Sequence, residues 1–299
     1  VQRSPNHYLI CYNMPHYIEL SLFDGTEFAS QPTEKVVNVA SVPNRSPFRY
    51  PGGKTWLVPT IRKWLSSDTS KNLIEPFCGG GTVGLTAAAE NLANKVTMIE
   101  MDEDVAAVWR VILDDGEWLA QRILDFNLNA ENVAEITKKE PSDIKERAFA
   151  TIIRNRTNHG GILAPGSGTL KKGENGKGIS SRWYPTTLAK RILAIQMYKS
   201  KLNFIQGDAF DYFGPDCYNQ QSYYFIDPPY TVAGKRLYSF SEVNHELLFK
   251  RTADLTCHYL MTYDLCDYVI GLAEKYHLEY RTIPMQTTHL VKKEELLIS

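Results

Sequence analysis

Little in this sequence points to a membrane, a metal or an oxidising compartment. No run of eighteen apolar residues occurs among the 299, so no segment reads as a membrane-spanning helix. Five cysteines (Cys11, Cys78, Cys217, Cys257, Cys266) are scattered, and none makes a C-x-x-C pair. That excludes a zinc knuckle or a disulfide framework as the organising chemistry, and no metal is expected. The opening "VQRSPNHYLICYNMPHY" lacks the charged, apolar and small-residue stages of a secretory signal, so the expected setting is a reducing cytoplasm. A P-loop is missing as well, because no Lys-Ser/Thr follows the glycines of "CGGGTVGL".

Net charge is almost absent too, at −1, but the balance is uneven. Residues 145–201 hold twelve Lys/Arg against Glu146 and Glu174, a local +10 that leaves −11 elsewhere. A one-signed excess of that size favours a polyanionic partner over a merely solvated face. With 43% apolar and 22% charged residues the rest is ordinary for a globular protein, and the length suits one large α/β domain or two smaller ones.

Residues 1–46 read as a loosely attached extension ending in "SVPNRSP". From Phe48 onward strand and helix patterns alternate. "LIEPF" (73–77) is a short apolar strand, "CGGG" a loop, "TVGLTAAAEN" a small-residue helix, and "KVTMIEMD" (95–102) the next strand. A helix of "EDVAAVWRVILDD" type follows, and the series reads as a parallel βαβ unit. Residues 117–155 look helical, with Ser142 as the expected N-cap of "SDIKERAFATIIRN". Residues 157–184 then carry seven glycines with interleaved lysines, the composition of a functional excursion. A helix near 185–201 and strands at 202–208, 222–227, 258–264, 277–284 and 294–299 complete the pattern, with helices near 242–257 and 266–276.

Three motifs carry chemistry. In "EPFCGGGTVGL" three glycines between strand and helix let a ligand approach the backbone and the helix N-terminal amides. Glu100 ends the next strand, where a carboxylate can accept both hydroxyls of a ribose. In "PFRYPGGKTWLVPTIRKWL" a Gly-Gly turn delivers Lys54 beside Tyr50, a cation suited to the carboxylate of an amino-acid moiety. In "YYFIDPPY" an apolar strand stops at Asp227 and two prolines that cannot donate to a ladder. That break turns the Asp227 carboxylate and nearby carbonyls outward as acceptors for an amino group, with Tyr230 as a face for a flat base.

Together these motifs resemble the Dam-type family of DNA adenine methyltransferases, in the family's motif order, over about residues 46–299. The resemblance implies a Rossmann-like methyltransferase fold with a mixed, mostly parallel sheet and an inserted target-recognition region. It implies S-adenosylmethionine as cofactor and double-stranded DNA as substrate, in a bacterial or phage-type cytoplasm, with a restriction partner possible in principle for such enzymes. Residues 47–140 and 202–299 would form the catalytic domain and 141–201 the DNA-recognition region. By the same likeness Tyr50, Gly53 and Lys54 would meet the methionine portion, and Glu75, Pro76, Phe77, Gly79 and Gly81 would form the cofactor loop. Glu100 stands where the family commonly has Asp, and Asp208 in "IQGDAF" would lie near the adenine ring or the site floor. Asp227, Pro228, Pro229 and Tyr230 would carry catalysis on a flipped adenine. Arg154, Asn155, Arg156, Asn158, Lys171, Lys172 and Arg182 are the expected DNA contacts. The competing readings are methylation of RNA or of the cytosine amino group, and a DNA-binding module without turnover. "ELSLFDG" (19–25) also resembles a sliding-clamp docking peptide, with Leu22 and Phe23 as its anchors.

Overall fold

The run "SYYFI" is apolar at every position after its serine, which suits a strand covered on both faces rather than one. In the computed structural model it is β4 (Ser222–Ile226), and all five residues are buried. Its side chains alternate between two cores. Tyr223 and Phe225 face one, and Tyr224 and Ile226 face the other. The structure describes residues 42–50, 52–66, 68–173, 176–213, 221–231, 242–286 and 292–299, within the unit Glu34–Ser299. Leu22, Phe23 and the rest of the expected extension up to 41 lie outside the described residues.

Seven strands form the sheet. β1 (Asn72–Glu75), β2 (Val96–Glu100), β3 (Leu202–Gln206), β4 and β5 (His258–Asp264) pair in parallel. β7 (Lys292–Ile298) inserts antiparallel between β5 and β6 (Tyr280–Gln286), giving the order β3-β2-β1-β4-β5-β7-β6. The order reverses beside β1, so β1 and β4 splay their C-terminal ends around a crevice where α/β sheets bind ligands. This is the expected Rossmann-like methyltransferase sheet.

Helices α1 (Val58–Leu65), α2 (Thr82–Ala89), α3 (Glu103–Asp125), α4 (Ala130–Lys138), α5 (Ile144–Thr157) and α6 (Pro185–Gln196) add to one core, with Leu57, Trp109, Phe149 and Ile192 fully buried. Helices α7 (His245–Ala253) and α8 (Asp267–Lys275) cover the other core. The break expected before 117 falls inside α3, which kinks at Asp115 (φ −146°, ψ 57°), whose Oδ1 caps the second segment by accepting from the Trp118 amide. One local expectation changes. The N-cap of α5 is Asp143, not Ser142, because its Oδ1 lies 2.9 Å from the Glu146 amide. Helices α5 and α6 share the core of α3, so the stretch 141–201 is anchored in the catalytic body at both ends.

Candidate active site

The glycine loop leaves β1 and enters α2 through two left-handed residues, Gly79 (φ +45°) and Gly81 (φ +62°). A side chain at Gly79 would also collide, since a Cβ there would sit 2.6 Å from Tyr50 Cε1. The loop is pinned from four sides. Glu100 Oε2 accepts from the Gly79 amide at 2.9 Å, and Trp109 Nε1 donates to the Gly79 carbonyl at 2.9 Å. Ser46 Oγ donates to the Gly80 carbonyl at 2.5 Å, and Glu75 Oε2 accepts from the Gly84 amide at 2.8 Å. Burial, resisted by that amide and reinforced by Asp227, lifts the Glu75 carboxyl to about 8. Burial likewise raises Glu100 to about 7, against the Asp102 and Gly79 amides that favour its charged form.

This loop forms one wall of a cleft of about 1180 Å³, counting the space open to solvent. Tyr50, Gly53, Lys54, Pro76, Phe77, Glu100 and Asp208 also line it, as do Asp227 and Pro229 from the end of β4. The cleft thus brings all ten residues expected to hold the cofactor together with the Asp227 carboxylate. Glu100 accepts from the Gly79 amide with one oxygen and from the Asp102 amide at 3.0 Å with the other, and the Met101 amide also favours its charged form. Asp208, the cap of a short 3₁₀ turn, is exposed and accepts from the Phe210 amide. Glycine backbone beside ribose-type acceptors fits a nucleoside carrying an amino-acid tail.

Asp227 is fixed by its neighbours. The β4–β5 register pairs Ile226 with Met261, so Thr262 falls beside Asp227 and its Oγ1 donates to Asp227 Oδ1 at 2.8 Å. Lys54 Nζ lies 2.8 Å from the same oxygen, donates to the Gly52 carbonyl at 2.8 Å, and stands 3.9 Å from Glu295 Oε2. Lys54 is 3% exposed. Its ammonium therefore faces the carboxylate of the DPPY motif, whereas the sequence suggested an amino-acid carboxylate. Pro228 is buried, and half-buried Tyr230 donates its hydroxyl to Glu295 Oε2 at 2.9 Å. The Tyr230 ring stacks on Tyr263 (centroids 5.8 Å apart, 22° between planes) and carries Lys54 Nζ 5.0 Å from its centroid.

The expected DNA contacts divide. Asn155 is fully buried, and its carboxamide binds Arg49 N (2.8 Å), Arg49 O (3.0 Å) and the Gly161 carbonyl (2.8 Å). Arg156 is buried and donates to the Pro47 carbonyl; burial, with Arg191, Arg49 and Arg182 nearby, lowers its guanidinium to about 9. Asn158 is buried and bonds the Ile162 carbonyl at 2.9 Å, while Arg154 pairs with Asp104 at 2.7 Å. Asn155, Arg156 and Asn158 are interior braces, a correction to the sequence reading that follows from their burial. Lys145 and Arg147 also meet acids of α3, at Asp115 and Asp104, so part of the local positive excess is neutralised internally. Lys171 and Lys172 are exposed and Arg182 is partly so.

Sequence reasoning missed Thr262, Glu295, Trp109 and Ser46. Only Glu295 left a signal, an acid at a buried position of the apolar strand "EELLI".

Among solved structures, the chain is similar to the rRNA methyltransferase AviRa from Streptomyces viridochromogenes (13% identity, 88% of this chain and 92% of that one, TM-score 0.40). It is also similar to a precorrin-6y C5,15-methyltransferase from Geobacter metallireducens GS-15 (9% identity, 80% and 84%, TM-score 0.32). The fold assignment rests on the strand order itself. No curated protein matches the chain. The family profile described as D12 class N6 adenine-specific DNA methyltransferase matches residues 50–261, from Tyr50 through the glycine loop and DPPY to Met261. With more than half of its length so matched, the chain belongs to the D12 class N6 adenine-specific DNA methyltransferase family.

Proposed function

We propose that this DNA adenine methyltransferase takes one adenine out of the duplex, at a defined sequence, and holds its exocyclic amino group against Asp227. The observation that carries the reading is the shared cleft: Asp227 and Pro229 line the same cavity as Gly79, Gly81 and Glu100. The methyl donor is S-adenosylmethionine, which when bound supplies a methyl group on a sulfonium sulfur that departs as a neutral thioether. Gly79 and Gly81 would hold it by their backbone, with Tyr50, Phe77, Glu100 and Asp208 around it.

An adenine amino group is a weak nucleophile because its lone pair is delocalised into the ring. Thr262 and Lys54 both engage Asp227 Oδ1. Asp227 Oδ2 is then the acceptor for one amino hydrogen, and the Pro228 carbonyl for the other. Two acceptors on one nitrogen draw it toward tetrahedral geometry and localise the pair. Because the carboxylate is held before the base arrives, little reorganisation remains at the moment of reaction. The proton leaves after attack, beside Asp227. Extracting the base costs a few kcal/mol of stacking and pairing, which contact with Tyr230 partly offsets. Lys171, Lys172 and Arg182 would grip phosphates, a sequence-independent and salt-sensitive contribution.

The test is transfer of label from S-adenosylmethionine to plasmid DNA, with RNA as control, followed by mapping of the modified positions. Label is expected in DNA adenine at one short sequence, and loss of transfer in Asp227→Ala with cofactor binding retained. Label in RNA alone, label in cytosine, or turnover in Asp227→Ala would overturn the reading.

A further inference from the structure

Glu295 is an acid behind the cleft, in contact with Tyr230 and Lys54, that neither motif order nor strand chemistry explains. It lies on β7, paired in register with Asp264 of β5 and Ile283 of β6, and is 4% exposed. A buried carboxylate is a poor stabiliser of a fold, since well-packed apolar side chains of similar volume serve as well or better. Its surroundings are specific. Oε2 accepts the Tyr230 hydroxyl at 2.9 Å and lies 3.9 Å from Lys54 Nζ, while Lys54 Nζ is 2.8 Å from Asp227 Oδ1. Asp227, Lys54, Glu295 and Tyr230 thus close a loop of polar contacts around the end of β4. Burial raises the Glu295 carboxyl, Lys54 opposes that rise, and Asp227 and Asp264 reinforce it.

We propose that Glu295 is a positioning residue for methyl transfer, which fixes the position of the Tyr230 ring by accepting its hydroxyl. A phenol swings about its Cα–Cβ bond and slides with its backbone unless its far end is held. Tyr263 supports the ring by stacking, but a stack leaves in-plane sliding free. A hydrogen bond at the hydroxyl removes that freedom. The ring then offers the target base one orientation, tied to Asp227 by two residues of chain. Through Lys54 the same carboxylate shares the cation that faces Asp227, which links the base platform to the amino acceptor. This inference rests on the proposed role of Tyr230 as a base platform.

The experiment is a cycle of Glu295→Ala, Glu295→Gln, Tyr230→Phe and Glu295→Ala/Tyr230→Phe. Turnover, cofactor affinity and melting temperature are measured. So is the fluorescence of 2-aminopurine placed at the mapped target position of a duplex. Losing a hydrogen bond to a charged group corresponds to a fall of about 10-fold or more in kcat. Glu295→Ala should show that fall, a changed 2-aminopurine signal and unchanged cofactor affinity. Glu295→Gln, whose amide oxygen still accepts, should restore the signal and most of the rate. In the Tyr230→Phe background Glu295→Ala should add almost nothing. Three outcomes would overturn the inference: an undiminished effect in that background, failure of Gln to rescue, or an unchanged 2-aminopurine signal in the folded Ala variant. The rescue series uses the folded, near-isosteric Gln variant, so a misfolded Ala variant does not remove the test. Turnover in Asp227→Ala would instead sink the wider reading, so the two failures are separable.

Discussion

Lys54 Nζ and Asp227 Oδ1 stand 2.8 Å apart, an ion pair of a buried lysine and a half-buried carboxylate that joins the turn before α1 to the end of β4. A lysine serving only an external carboxylate would govern cofactor affinity. One that holds Asp227 in place governs the chemical step. Lys54→Met is therefore expected to lower kcat by ~10²-fold, on the scale of removing one preorganised electrostatic contact. The S-adenosylmethionine Kd should change much less. Calorimetric binding beside steady-state kinetics checks this, and a large Kd change with near-normal kcat would count against it.

Thr262 has the companion role. Thr262→Val keeps the shape of the side chain and deletes the hydroxyl that donates to Asp227. Turnover should fall by about 10-fold, the worth of one hydrogen bond to a charged group. Cofactor binding should be intact, and a variant with full activity would show that Lys54 alone fixes the carboxylate.

The glycine loop offers a steric test. Gly79→Ala forces a left-handed residue to carry a Cβ 2.6 Å from Tyr50 Cε1. The conformational penalty alone is about 1 kcal/mol, and either the Tyr50 ring or the loop must move. Cofactor affinity should drop sharply in Gly79→Ala and recover at most in part with Tyr50→Ala, because the backbone strain remains and Tyr50 itself lines the cleft. Isothermal titration of the three variants decides this.

Glu75 predicts a pH dependence of stability. Its carboxyl titrates near 4.5 when free and near 8 in the folded chain, chiefly through burial. Between those values the folded state keeps a proton that the unfolded chain has released. The stabilisation is thus fully present below about 4.5 and is lost as pH rises through about 8. Glu75→Gln mimics the protonated form, so its melting temperature should gain on that of the parent from about pH 5 to about pH 9. Parallel profiles would contradict the assignment.

The basic stretch should divide into two functional groups. Asn155→Leu leaves the Arg49 backbone and the Gly161 carbonyl without their partner and is expected to destabilise by ~2–4 kcal/mol, visible as a lowered melting temperature. Lys171→Ala/Lys172→Ala should leave melting unchanged and weaken DNA binding. Its slope of log affinity against log salt should fall by roughly 0.9 for each phosphate that is no longer neutralised.

The fold was legible because strand, glycine loop and helix each leave a local trace. The all-buried run "SYYFI" and the alternating order of elements were enough to place β1, β2 and β4. The Asp227–Tyr230 motif stood out for the same reason, since its residues lie within four positions of one another. What escaped notice depends on register and burial. Thr262 matters because β5 sets it beside Asp227, and Glu295 because β7 inserts antiparallel between β5 and β6. Asn155 and Arg156 were misread because polarity in a helix gives no sign of which face is buried. Their partners at Arg49 and Pro47 lie far back in the chain.

The antiparallel insertion of β7 also bears on how the enzyme comes into being. Lys54, Asp227 and Glu295 belong to segments widely separated along the chain, and contacts of that range form after local ones. The strand carrying Glu295 is held by β5 on one side and by β6 on the other. On the proposed role of Glu295, methylation competence is expected to need this long-range pairing as well as the local glycine loop. A chain that loses its β6–β7 pair would give up DNA modification before it gave up its glycine loop.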